Sequence, residues 1–241
     1  MTKVYFHGIP GSPADFSDSP WSADAIYCNL IDYGAPALGT SQHDILDHTP
    51  DGMLDLVAFS LGAMLALDFA ARHPDKVSSV TLISAAGPLH IGDFLDQMAG
   101  GPVFRAAQKS IWRLKYLTFA QRLMVAIAPN LMTRLMFAAT SQDERDMSRQ
   151  PTFRNQMIAN MRHAYGPNRA CYFNILQTYV SDWSATLDQV HAPVLLYHGT
   201  DDTWAPLSMA HALSNRLRSA KVVTMNEKGH FGALRSALPL V

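Results

Sequence analysis

The chain has 241 residues, 48% of them hydrophobic and 16% charged, a length that suits one core with an insertion. That apolar share offsets the ordering entropy of a folded chain, so a disordered or linker-dominated protein is excluded. A net charge of -1 supplies no basic field of the kind that draws proteins onto phosphate backbones, and no nucleic-acid partner is expected.

The first predicted strand, Lys3–Phe6, follows the N-terminal Met1 without the apolar stretch of about 7–15 residues that an export signal needs, so a cytoplasmic location is expected. It runs into His7-Gly8-Ile9-Pro10-Gly11-Ser12, a Gly- and Pro-rich turn able to aim the Ile9 amide at a site above the sheet. Ser12 reads as an accessory donor there or as a cap for the next helix. A second strand is predicted at Ala25–Leu30. The stretch His43-Asp44-Ile45-Leu46-Asp47-His48 looks superficially like a set of metal ligands. Its two histidines do not share a helix face, however, and no metal site is expected. Cys28 and Cys171 are the two cysteines; far apart and without metal-type spacing, they read as free, buried thiols.

The third strand, Leu54–Phe59, meets Ser60, which has the small residues Ala58 and Gly62 at −2 and +2, and a helical run follows to about His73. This is the pattern of a nucleophile elbow: a sharp strand-to-helix turn forces the serine into a strained conformation, and small neighbours let the two segments approach. The hydroxyl is then exposed above the sheet edge. The helix that follows aims its unpaired N–H groups at the same point, so the Leu61 amide can stabilise negative charge developing beside Ser60. The apolar run from Leu56 to Leu67 stops at Asp68, short of the roughly 18–20 residues a membrane span requires, and no transmembrane segment is expected.

After a fourth strand at Val80–Ser84, about a hundred residues carry no convincing strand but several helical stretches, among them Arg105–Ile127 and Leu131–Ala139. Residues 101–170 hold eleven Lys/Arg against three acids, a balance of +8, while the rest of the chain stands at −9. Met98, Met124, Met132, Met136, Met147, Met157 and Met161 fall in the hundred-residue helical block, a composition suited to irregular apolar shapes. The block therefore reads as a greasy, basic insertion over an acidic body. In the plainer reading the methionines form its own core and the arginines a solvated face. On one predicted helix, part of the charge of Arg105, Lys109, Arg113, Lys115 and Arg122 would face an anionic substrate or an acidic carrier, with Arg105, Lys109 and Arg113 along one stripe and Lys115 and Arg122 on a different face.

The fifth strand, Val194–His198, leads into Gly199-Thr200-Asp201-Asp202-Thr203-Trp204-Ala205-Pro206, which puts carboxylates where a parallel sheet presents its site. The sixth, Lys221–Met225, leads into Glu227-Lys228-Gly229-His230-Phe231-Gly232, a loop with a histidine between glycines. A serine hydroxyl needs a base, and the base needs an orienting group. The chain order of serine, aspartate and histidine is that of strand–turn–helix hydrolases.

With these elements the chain resembles the α/β-hydrolase fold superfamily over essentially its whole length. The resemblance puts the oxyanion turn on His7-Gly8-Ile9, the nucleophile on Ser60, the acid loop on Gly199, Asp202 and Pro206, and the base on His230. Asp202 has the matching offset and Asp201 does not. It implies an α/β fold with a mostly parallel sheet of about six strands flanked by helices, shortened at the N-terminus because the family usually has two strands before the oxyanion turn. Residues 1–87 and 191–241 would form the core and 88–190 a helical cap insertion. Ala58 stands where the family commonly has glycine. The elbow serine separates the chain from relatives with an aspartate there and implies acyl chemistry.

The expected function is therefore that of a serine hydrolase cleaving a carboxylic ester or thioester through an acyl-enzyme, anionic or carrier-bound substrates included. Ser60, Asp202 and His230 would form the triad, the amides of Ile9 and Leu61 the oxyanion hole, and no cofactor is expected. The alternatives are a lyase or carbon–carbon bond hydrolase using the same triad, with cap arginines binding an anionic substrate, and a non-catalytic ligand-binding protein.

Overall fold

A computed structural model describes residues 1–16, 25–30, 45–47, 49 and 52–241; His43, Asp44 and His48 lie outside them. Six strands are present: β1 Thr2–Phe6, β2 Ile26–Cys28, β3 Leu54–Phe59, β4 Val77–Ile83, β5 Val194–Gly199 and β6 Ala220–Met225. They form one parallel sheet in the order β2-β1-β3-β4-β5-β6, the α/β architecture expected. The strand next to the N-terminus is not the edge, because β2 pairs with β1 and covers it.

Side chains alternate between the two faces of the sheet, as the period of two requires. Val4, Phe6, Leu56 and Ala58 join one apolar cluster, while Tyr5, Val57 and Phe59 join another on the opposite face. The helix α1, Gly62–Arg72, buries eight of its residues against the first face. It is built from Ala, Leu, Met and Phe with few competing polar groups, and ends at His73, as expected.

Between β4 and β5 the chain forms six helices: α2 Gly101–Lys109, α3 Ile111–Ile127, α4 Pro129–Met136, α5 Gln142–Arg149, α6 Pro151–Tyr165 and α7 Arg169–Val180. The stretch read as one helix from Arg105 to Ile127 is broken. Ser110 is extended, and its hydroxyl accepts a hydrogen bond from the Trp112 amide, which caps a new helix. Arg105, Lys109 and Arg113 therefore do not share one helix stripe. The stretch read from Leu131 to Ala139 is the shorter α4, opened by Pro129 at its first turn. Met98, Met132, Met147, Met157 and Met161 are buried in the two clusters. Two helices follow, α8 Leu207–Arg216 and α9 His230–Ala237, with Phe231, Leu234 and Ala237 of α9 closing the second face. Cys28 and Cys171 are buried thiols without a disulfide. Among the described residues no helix is long and apolar enough to cross a membrane.

Candidate active site

Ser60 lies at the junction of β3 and α1 with φ 56°, a left-handed conformation that a residue with a Cβ adopts only when its surroundings hold it there. They do so through its backbone: the Ser60 amide donates to the Ile83 carbonyl at 3.1 Å, and the Ser60 carbonyl accepts from Ala63 at 3.1 Å and Ala86 at 3.0 Å. The small residue at +2 has a direct cause, since a Cβ on Gly62 would fall 2.3 Å from the Phe6 carbonyl oxygen. Ala58 fits fully buried in the core, so its methyl group replaces the family's commoner glycine without displacing the turn.

Asp202 follows β5 in the turn that leads to α8, and only 5% of it is exposed. Its Oδ1 accepts the amides of Trp204 and Ala205, both at 2.9 Å, and its Oδ2 lies 2.8 Å from His230 Nδ1. Burial pushes the Asp202 carboxyl up, but His230 beside it, His198 and the Ala205 amide outweigh burial and hold it below the usual carboxylate range. Asp202 is thus ionised and oriented, with Nδ1 of His230 donating to it. Asp201 is exposed and accepts only from the Thr200 hydroxyl, at 3.0 Å. The structure therefore brings Asp202, not its neighbour, to His230.

Ser60 and His230 face a common cavity of about 40 Å³, together with Gly8, Ile9, Trp204 and Phe231. A larger cavity of about 290 Å³ opens from Ser60, Ile9 and Leu61 toward the inserted helices, where Phe104, Leu117 and Met132 help to wall it. Neither the Ile9 nor the Leu61 amide donates to another group among the described residues. No charged side chain of the described residues lines this cavity. Arg105 is instead paired with Asp96, and Lys109 and Arg113 are exposed on separate helices. Ser12 lines neither of these cavities; its hydroxyl accepts from Gln156 at 3.0 Å and its amide donates to Asp15 at 3.1 Å.

Several further residues support the site. His198 is fully buried, donates from Nε2 to the Ala205 carbonyl at 2.7 Å and stands 3.6 Å from Asp202 Oδ2. Burial lowers its pKa, against the opposing pull of Asp202 and the Ala205 carbonyl. Ser84, at the end of β4, donates its hydroxyl to the His230 carbonyl at 3.2 Å. Glu144, on α5, is fully buried and accepts the Phe231 amide at 2.9 Å. It leaves no room at Gly229, where a Cβ would fall 2.6 Å from its side-chain carbons. A signal for it was present, because Asp143, Glu144 and Asp146 are the three acids among residues 101–170.

Burial pushes the Glu144 carboxyl from 4.5 to about 7; His230 and the Phe231 amide lower it, while Asp202 and Asp143 raise it further. The folded chain therefore holds this proton at pH values where the unfolded chain has lost it. The stability that this proton provides is complete below pH 4.5 and falls away as the pH rises through about 7. Glu144→Gln keeps an acceptor for Phe231 and removes the titration. The variant should gain on the wild type between pH 4.5 and 8, by about 3 kcal/mol from a shift of this size, read from denaturant midpoints. Asp15, raised by burial to about 7, titrates in both proteins and cancels. A constant difference across that range would show that the buried carboxyl does not titrate there.

A family model described as the alpha/beta hydrolase fold matches residues 12–236. The chain belongs to that family. It is similar to a pimeloyl-[acyl-carrier protein] methyl ester esterase of Aromatoleum aromaticum, 28% identical over 82% of this chain and 76% of the relative. A protein of the same name from Neisseria meningitidis is 25% identical over 90% of this chain and 75% of its own. Among solved structures, a 2-hydroxy-6-oxo-6-phenylhexa-2,4-dienoate hydrolase of a Rhodococcus strain superposes with a TM-score of 0.65 at 17% identity, covering 97% of this chain and 85% of the other. That likeness concerns the fold.

Proposed function

We propose that the chain is a serine esterase in which Ser60, His230 and Asp202 act as a triad. The observation that carries this reading is the pairing of a strained elbow serine with an oriented His–Asp couple on one cavity. Nε2 of His230 takes the Ser60 proton as the hydroxyl oxygen attacks the ester carbonyl, and Asp202 stabilises the imidazolium that forms. The tetrahedral oxyanion accepts from the Ile9 and Leu61 amides, each donor of this kind contributing about 3 kcal/mol to the transition state. His230 then returns the proton to the departing alcohol, and water releases the acyl group by the same steps in reverse order.

Residues 88–190 act in this reading as a helical cap over a core of residues 1–87 and 191–241. The cap supplies the apolar walls of the larger cavity, which suit an uncharged acyl chain. The relatives are pimeloyl-[acyl-carrier protein] methyl ester esterases, which makes a methyl ester of a carrier-bound acyl chain a candidate substrate, and thioesters remain in the class the same chemistry cleaves. A cavity wall without charge tells against the arginine-lined anion pocket of the lyase alternative.

Turnover of p-nitrophenyl esters of increasing chain length, alongside acyl thioesters, tests the reading. kcat/KM is expected to rise with chain length until the cavity is full and then to fall. A burst of p-nitrophenol equal to the enzyme present would report the acyl-enzyme. No turnover of any ester, with no burst, would overturn the proposal.

A further inference from the structure

On α3 the residues Trp112, Tyr116, Phe119, Leu123 and Ile127 recur at spacings of four and three, so they lie along one side of the helix. That side faces outward: the five side chains are 74%, 78%, 63%, 50% and 74% exposed, and Leu131 and Leu135 of α4 extend the patch at 47% and 54%. The opposite side of α3 buries Leu114, Thr118 and Val125. A helix apolar on both sides normally has a partner on both, and a contiguous exposed patch of this kind marks an interaction surface.

The charges around the patch identify what covers it. Residues 97–142 contain six Lys/Arg and no Asp or Glu. Lys109, Arg113, Lys115, Arg122 and Arg134 are exposed, and the Lys115 ammonium sits 4.9 Å above the Trp112 ring. A second copy of the chain packed on this face by a two-fold axis would press these cations against their own equivalents. An acidic soluble protein would satisfy the cations but not the aromatic and aliphatic row. An anionic lipid surface offers both an apolar layer and a sheet of phosphates, and Trp and Tyr with Lys and Arg beside them suit its boundary.

We propose that the outer face of α3, continued by α4, docks the protein on anionic phospholipid membranes. The helix then lies in the plane of the surface, with its apolar row among the acyl chains and its cations at the headgroups. Leu135 is exposed in the patch and also lines the large cavity, and Leu117 and Gln121 line that cavity from the inner side of α3. A hydrophobic ester partitioned in the lipid would therefore meet the cavity without crossing open water. Docking does not depend on the reaction proposed above, because it is read by binding alone.

The test is flotation of the full chain with vesicles of phosphatidylcholine mixed with phosphatidylglycerol, and with vesicles of phosphatidylcholine alone, with sedimentation velocity of the free protein in parallel. Binding is expected to the mixed vesicles, weakening as salt rises. Trp112→Ser combined with Tyr116→Ser should reduce it by at least about tenfold, and Arg113→Glu with Lys115→Glu should remove the preference for the anionic lipid. All four side chains are exposed and none lines either cavity of Ser60, so both variants should keep the wild-type circular dichroism and the wild-type rate on a soluble p-nitrophenyl ester. The proposal is overturned by the absence of flotation or by flotation that both variants retain. It is overturned equally by a dimer that the Ser substitutions disperse, or by retention on an acidic carrier protein without vesicle binding. Loss of ester turnover in the wild type would instead count against the esterase reading alone.

Discussion

Ser60→Ala is expected to lower kcat for ester hydrolysis by about 10⁵–10⁶-fold, because triad members act as a unit and the nucleophile has no substitute. Its fold should be unchanged. Ala carries the same Cβ as Ser, so the backbone at φ 56° is strained to the same degree, and the bonds that hold it run through the main chain to Ile83, Ala63 and Ala86. Ser60→Gly would behave differently, since glycine relaxes at positive φ and should raise the melting temperature while abolishing activity in the same way. The decisive measurement is intact mass after treatment with a fluorophosphonate: a single adduct on the wild type and none on Ser60→Ala. An adduct that persists on the variant would place the nucleophile elsewhere.

The second large effect belongs to the acid. Asp202→Asn keeps an oxygen for the Trp204 and Ala205 amides but offers an NH₂ to His230 Nδ1. The ring must then carry its proton on Nε2, where the base is needed, and kcat should fall by roughly 10⁴-fold. Asp201→Asn, at an exposed position whose carboxylate accepts from the Thr200 hydroxyl, should leave kcat within about twofold. KM should change little in either, since neither carboxylate lines a cavity. The reverse ranking would mean that His230 is oriented by another group.

The sheet and the site differ from the insertion in how far they could be read ahead. Leu54–Phe59 announces itself through a buried apolar run ending at a serine between small residues, because the strand, the turn and the helix follow one another directly in sequence. The Gly199–Pro206 turn is equally local, and its aspartate bonds amides only two and three residues away. Among contacts made across the fold, the approach of the Phe6 carbonyl left its mark in Gly62, but hydrogen bonds between distant partners left none. Glu144 and Phe231 are 87 residues apart, and Ser84 reaches a carbonyl 146 residues on; a lone polar residue does not name so distant a partner. The basic stripe failed for a local reason that composition hides. Ser110 can continue a helix or cap a new one, and here the hydroxyl takes the Trp112 amide, which breaks the row of cations and turns the aromatic residues outward.

The seat of Glu144 on Gly229 and Phe231 bears on how the molecule comes apart. The carboxylate belongs to the inserted helices, yet the amide it accepts opens the helix that carries His230, and Phe231 packs on Phe137 and Phe153 of the same insertion at 5.9 and 5.1 Å. Neither part can loosen without disturbing the other, so the two form one cooperative unit. Amide hydrogens of α9 and of α5 and α6 would then exchange with solvent together rather than in sequence. Replacing the helices between β4 and β5 would succeed only if a matching acceptor and a matching pair of rings came with the replacement.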